Sequence, residues 1–268
     1  STNLFSPLAV ICPSIGLDHQ AVLGNTHAEI ATEKAGVLKN GASFIYATDR
    51  TDVRDVFKQK ANEEGSKTYE LGKDFTAEGS SHSFDFIYKE QRLEGIALAM
   101  AGQHQVANAS LAIMASLLLQ KDYPKVTPEL IKDALAHASW LGRTEFLMPN
   151  LMIDGAHNNE SVKVLIDLLR SEYADKDIEL LFAAIDTKPI DSMLAQLESV
   201  GDLTVTSFEY PNSVKLDKYP VTYKQVSDFQ TWIEEHVTAN DDKLYVITGS
   251  LYFISQVRKW ILEQESAV

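Results

Sequence analysis

The stretch Ile15-Gly16-Leu17-Asp18-His19, followed by Leu23-Gly24-Asn25-Thr26 and then Glu33-Lys34-Ala35-Gly36, decides how this chain is read. Residues 8–15 read as a buried strand, interrupted near Pro13. Thr26-His27-Ala28-Glu29 has the spacing of a capping box, in which hydroxyl and carboxylate each bond the other residue's backbone, and it predicts a helix running toward Leu38. His19 therefore falls just after a strand and Lys34 on the following helix. Strand ends in open α/β sheets face a crevice where ligands sit. A histidine taken alone is more often structural there. Lys34 reads blandly as an exposed helix lysine, although Ile30 at i−4 gives it no carboxylate partner.

Working outward, the alternation continues. Residues 43–47 form a short apolar strand, 52–64 a mostly polar helix, and 83–88 with 92–99 an antiparallel pair. A helix follows over about 105–119, and Thr127-Pro128-Glu129 starts another, with threonine as cap and proline at the first position. Residues 137–143, carrying Trp140 and Gly142, are the best boundary, which divides the chain into 1–141 and 142–268. Beyond it the runs 151–154, 178–184, 203–207 and 244–248 are apolar and separated by helical segments. That pattern predicts an α/β fold with an open, mostly parallel sheet covered by helices. Residues 210–221 read as a polar, proline-containing loop, and no internal repeat is evident.

Composition narrows the function classes. With 268 residues, 45% hydrophobic and 23% charged, the chain can bury a substantial core. A net charge of −14 repels phosphodiester backbones and argues against nucleic acid as a partner. Cys12 is the only cysteine, so no intrachain disulfide forms, which favours a reducing compartment and the cytoplasm. The densest apolar window, 110–119, is too short to span a bilayer, and no signal peptide is evident at the amino terminus.

The chemistry-bearing stretches recur in order. Gly102-Gln103-His104-Gln105-Val106-Ala107-Asn108-Ala109 opens a helix, and the Asn108 amide can both donate and accept, as adenine recognition requires. Its plainer role is to pin that helix. Gly142-Arg143 offers a guanidinium fork suited to phosphate oxygens. Asp154-Gly155-Ala156-His157-Asn158 follows a strand, where carboxylate or imidazole could equally cap the next helix. Gly65-Ser66-Lys67-Thr68 is no phosphate loop, because the motif needs Gly-Lys adjacent and a glycine five residues earlier, where Lys60 stands. Dinucleotide signatures and a serine nucleophile elbow are also absent from these 268 residues.

These five ordered stretches together resemble the folylpolyglutamate synthase/dihydrofolate synthase family, ATP-dependent ligases of the Mur ligase superfamily. Gly16, Asp18, His19, Leu23, Gly24 and Thr26 fit its first motif, and Lys34 stands fifteen positions after His19, the family spacing. The resemblance implies the rear part of a Mur-ligase-type central ATPase domain over 1–141, with the phosphate-loop segment lacking, and a Rossmann-like ligase domain over 142–268. It implies ATP and Mg2+ as cofactors, His19 as a metal ligand, and Lys34 as a catalytic position that these enzymes carbamylate. One imidazole does not make a magnesium site, since Mg2+ prefers octahedral oxygen ligands, so phosphate, water and other residues must complete it. Asn108, Arg143, Asp154 and His157 become nucleotide-binding residues, with Arg143 also catalytic. The implied reaction adds L-glutamate to folate, or to dihydropteroate, through an acyl phosphate. The expected enzyme is monomeric when complete, and the 268 residues alone are expected to be inactive.

Two other readings compete: a Mur-type ligase joining amino acids to another precursor, and a non-catalytic nucleotide-binding module. The chain departs from the family pattern at Asn159, where proline is usual, and at Pro211-Asn212, where arginine is common. Thr248-Gly249-Ser250-Leu251-Tyr252-Phe253 resembles the family's last strand-to-helix turn, with Ser250 as the expected cap.

Overall fold

Strand β1 (Ala9–Cys12) stops at Pro13, which has no N–H to give a neighbouring strand, so the strand expected over 8–15 is shorter. The computed structural model describes residues 5–17, 20–238 and 242–265. Asp18 and His19 lie outside the described residues. A short helix α1 (Gln20–Leu23) leads to α2 (His27–Ala35), and the capping box forms as read. Thr26 Oγ1 accepts from the Glu29 N–H at 3.2 Å, and Glu29 Oε2 accepts from the Thr26 N–H at 3.0 Å. The helix ends at Gly36, a poor helix former, instead of continuing to Leu38.

The chain divides into two compact units, Ser1–Ala138 and Ser139–Val268. In the first, β1, β2 (Ser43–Tyr46) and β3 (Thr68–Glu70) form a parallel sheet in the order β1-β2-β3, with α3 (Thr51–Glu63) connecting the last two. Alternation along β2 sends Phe44 and Tyr46 to one face, packed with Ala31, Ala35, Val53 and Phe57, and Ile45 to the other. Phe44, Tyr46 and Phe57 meet in tilted and edge-to-face contacts with ring centroids 4.9–5.2 Å apart. Each such buried ring contributes about 1.5–3 kcal/mol relative to exposure. The opposite face is covered by α4 (Gln103–Leu119) and the antiparallel sheet β4 (Thr76–Ser80), β5 (Ser83–Tyr88), β6 (Gln91–Ile96), through Phe84, Phe86, Leu93, Val106 and Met114, with α5 (Pro128–His137) at its side. The sequence reading missed β3 and β4 because three residues are too few for a period and Thr-Ala-Glu-Gly-Ser is small and polar.

The second unit is a six-stranded sheet in the order β11-β10-β9-β12-β8-β7. Its elements are β7 (Glu145–Met148), β8 (Leu151–Asp154), α6 (Asn159–Glu172), β9 (Asp177–Ala183), α7 (Ile190–Leu197), β10 (Asp202–Val205), a 3₁₀ turn (Leu216–Lys218), β11 (Lys224–Gln225), α8 (Phe229–His236), β12 (Lys243–Gly249) and α9 (Leu251–Glu265). All pairings are parallel except β7 with β8. One face packs Ile153, Leu181, Tyr245 and Ile247 against Phe229, Trp232, Phe253 and Val257 of α8 and α9. Alternate residues of the same strands, Met152, Leu180, Phe182 and Val246, are equally buried on the other side. Both faces are therefore covered, which explains why these strands read as continuous apolar runs. The edge strands β7 and β11 escaped the sequence reading, the first beginning in charged Glu145 and the second only two residues long.

β12 returns between β9 and β8, so the strand order reverses there and their carboxyl ends open side by side. Backbones meet closely at that point. A Cβ on Gly249, which has φ of +122°, would stand 2.0 Å from the Ala183 carbonyl oxygen. The Ser250 N–H instead reaches that oxygen at 2.8 Å, and Ser250 Oγ accepts from the Tyr252 N–H at 3.3 Å, capping α9 as expected.

Candidate functional site

The side chains singled out in the second unit converge at the carboxyl end of β8. Asp154 is the last residue of that strand and 8% exposed. Its Oδ2 accepts from the Thr144 N–H at 2.9 Å. Burial pushes the Asp154 carboxyl above the ordinary aspartate value, while the Thr144 N–H and the positive charge of Arg143 pull it back. Arg143 lies against Gly155, where a Cβ would stand 2.5 Å from Arg143 Nη1 and 2.1 Å from Leu251 Cδ2. A side chain at 155 would have to displace the guanidinium and the tip of Leu251. His157 Nδ1 lies 2.8 Å from the Gly155 carbonyl oxygen. A carbonyl can only accept, so this contact places a ring proton on Nδ1.

Neither Asp154 nor His157 caps the following helix: the cap of α6 is Asn158, whose Oδ1 accepts from the Ser161 N–H at 2.8 Å. Ser161 Oγ returns the bond, accepting from the N–H groups of His157 at 3.0 Å and Asn158 at 3.1 Å. The loop carrying His157 is thus held by the helix it precedes, and the Asn158-x-x-Ser161 spacing was the signal that could have shown it. Asn159 also has a use that proline could not supply. Its Oδ1 accepts from Ser192 Oγ at 2.7 Å and Gln196 Nε2 at 3.0 Å, tying α6 to α7. Pro211-Asn212 sits in a segment folded over the end of β9: the Asp186 N–H reaches the Asn212 carbonyl, and the Val214 N–H the Ala184 carbonyl, both at 2.9 Å. A groove of about 500 Å³ beside the site is lined by Leu141, Gly142, Leu251, Ile254, Arg258 and Leu262, among others.

In the first unit, Lys34 is exposed in the last turn of α2. Its charge is felt at the end of β1: burial pushes the Cys12 thiol up to about 11, with Lys34 opposing. The expected partner of Lys34, His19, lies outside the described residues. Asn108 is exposed on α4 and donates through Nδ2 to Gln105 Oε1 at 3.2 Å, the helix-pinning contact. Among the described residues, no three His, Cys, Asp or Glu side chains gather as a metal site. No helix among them is long and apolar enough to cross a membrane.

No family model matches the chain. Relatives do. The chain is 32% identical over 277 residues to the dihydrofolate synthase/folylpolyglutamate synthase of Bacillus subtilis, a match covering 97% of this chain and 64% of that protein. Its fold superposes on apo folylpolyglutamate synthase of L. casei with a TM-score of 0.80 at 25% identity, over 97% of this chain and 62% of that one. It also superposes on E. coli FolC solved with DHPP and ADP, with a TM-score of 0.85 at 22% identity over 98% and 63%. The chain spans under two thirds of each of these proteins. The ordered motifs, the doubly covered sheet with its reversal beside β12, and the sequence match agree: along almost its whole length the chain is homologous to the folylpolyglutamate synthase/dihydrofolate synthase of Bacillus subtilis, and it has the Mur-ligase-type α/β fold of these synthases.

Proposed function

We propose that the complete protein is an ATP-dependent ligase that adds L-glutamate to folate, and to dihydropteroate, by way of an acyl phosphate. The observation that carries this reading is the convergence of Arg143, Asp154 and His157 at one strand end, in a chain homologous to such synthases over 97% of its length. In the reaction a substrate carboxylate oxygen bonds the γ-phosphorus and ADP leaves. The glutamate amine then attacks the acyl carbon, phosphate leaves and the amine gives up its proton. Arg143 supplies a fixed guanidinium to phosphate oxygens, offsetting charge that builds on the transferring group. The Asp154 carboxylate accepts from ribose hydroxyls, His157 lies against the base, and Asn108 pairs with adenine.

Mg2+ keeps several waters and binds nucleotide enzymes through one or two protein ligands plus phosphate, so a gathered cage is not required of this chain. His19 is the proposed metal ligand, and Lys34, carbamylated, the anionic support beside the substrate carboxylate. Carbamylation needs the neutral amine as nucleophile. We assign the ATP-binding role to 1–141 and the ligase role to 142–268, and we place the enzyme in the cytoplasm as a monomer.

The test is an ADP-release and product assay on protein expressed from its complete coding sequence, with ATP, Mg2+, L-glutamate and either dihydropteroate or a reduced folate. Turnover that requires both glutamate and the pteridine substrate is expected. ADP release indifferent to glutamate, or no product, overturns the reading. Phosphoryl transfer by these enzymes needs a phosphate-binding loop, and residues 1–268 contain no such motif, so these residues alone are expected to form little or no product. Robust turnover by them would refute that assignment of labour.

A further inference from the structure

Thr144 combines features that a fold does not keep without cause. Its φ is +44°, in the left-handed region that a β-branched side chain fits worst. The other described non-glycine residues with positive φ are Asn40, Lys89 and Asn212, none of them β-branched. Its Oγ1 is buried with no hydrogen-bond partner, so a desolvated hydroxyl goes uncompensated. Strain and an unmet polar group in one residue mark a position where geometry is required by something else.

The required geometry is the turn 142–145, held from several directions. The Gly155 N–H donates to the Gly142 carbonyl at 2.8 Å, and the Gly142 N–H to Glu145 Oε2 at 2.7 Å. Arg258 Nε holds the other oxygen of Glu145 at 2.8 Å. β7, which starts at Glu145, is paired to β8 with Glu145 opposite Ile153, one residue before Asp154. The φ torsion of Thr144 therefore sets the direction of the Arg143–Thr144 peptide against a strand that is already fixed. At +44° that peptide's N–H meets Asp154 Oδ2 at 2.9 Å while Arg143 crosses Gly155. At a negative φ the peptide would swing away from the carboxylate and take Arg143 with it.

We propose that Thr144 is a positioning residue whose enforced left-handed backbone holds Arg143 and Asp154 together in the orientation that binds nucleotide. This rests on the nucleotide-binding reading above. The test compares Thr144→Gly, which frees the backbone to adopt either sign of φ, with Thr144→Asn, whose short polar side chain tolerates the left-handed region. In protein from the complete coding sequence, Thr144→Gly is expected to raise the KM for ATP about tenfold or more and to lower kcat as well, because Arg143 also acts on the transferring phosphoryl group. Thr144→Asn is expected to keep KM within about threefold of wild type and to raise Tm by about 2–5 °C through relief of strain. A Thr144→Gly protein with unchanged KM, or a Thr144→Asn protein as impaired as Thr144→Gly, overturns the proposal.

A second readout separates this proposal from the ligase reading. In the 268-residue chain without nucleotide, exchange of the residue-144 amide should be slow in wild type and Thr144→Asn, and about tenfold or more faster in Thr144→Gly. Equal exchange in all three overturns the positioning role whatever the enzyme does. If the wild type shows no ATP-dependent product, the ligase reading falls, and the exchange comparison alone decides whether Thr144 holds Asp154.

Discussion

Two buried carboxylates, one in each unit, end strands of parallel sheets, and their surroundings treat them in opposite ways. Glu70, 2% exposed at the end of β3, is surrounded by donors: Arg54 Nε at 2.6 Å, Lys73 Nζ at 3.2 Å and the Tyr46 hydroxyl at 3.3 Å. Burial raises its pKa, but the bonds from Arg54 and Lys73 outweigh it and hold the carboxyl below the ordinary glutamate value. Asp154, 8% exposed at the end of β8, has the Thr144 N–H and the charge of Arg143, and burial wins. The first carboxylate is arranged to stabilise the fold. The second is buried with fewer donors at a strand end that opens on a crevice, the arrangement expected where a ligand completes the bonding.

Removing Arg143 should break the comparison most visibly. Arg143→Ala, in protein from the complete coding sequence, is expected to lower kcat/KM about a hundredfold or more while Tm falls by less than about 3 °C, because a half-buried arginine lying across a glycine adds little to a core. Steady-state kinetics and calorimetry on the same preparation check it. Parallel losses of rate and Tm would make Arg143 structural.

Glu70→Gln should do the reverse. It leaves Arg54 with a weakened partner, which lowers the Tm of the first unit by about 5–10 °C without changing KM for ATP. The pH dependence sharpens the contrast. A lowered carboxylate pKa stabilises fully above the ordinary value of 4.5, and that contribution disappears as pH falls through the lowered value. Glu70→Gln should therefore flatten the acid side of the stability profile. Asp154 has the opposite sign: its effect is absent below the ordinary value of 3.8, and stability is lost as pH rises through the raised value. An acid limb unchanged by Glu70→Gln would deny Glu70 its stabilising role.

How much of this was legible beforehand differs between fold and site. Periodicity, the Thr26 capping box and the Thr127-Pro128 start located the helices and the central strands, because those signals are local and each serves one element. Short strands such as β3 and β11 exist only because neighbours offer them a ladder, which a local reading does not see. At the site, residue types with ligand chemistry stood out: Arg143, Asp154, His157. The residues that hold them did not. Thr144 owes its role to a torsion, Ser161 to a reciprocal cap, and Asn159 to partners more than thirty positions away in α7. A threonine, serine or asparagine in those roles looks like any other in sequence.

Asp154→Asn in protein from the complete coding sequence, followed for amide-bond formation and thermal unfolding together, separates ligand binding from fold stability at this carboxylate. If Asp154 is retained for ligand binding against the interest of the fold, the neutral isostere keeps or raises Tm at pH 8, while ATP-dependent addition of glutamate falls about a hundredfold or more. A Tm lowered as much as by Glu70→Gln, with turnover near wild type, would show that Asp154 serves the fold as Glu70 does and would contradict the account.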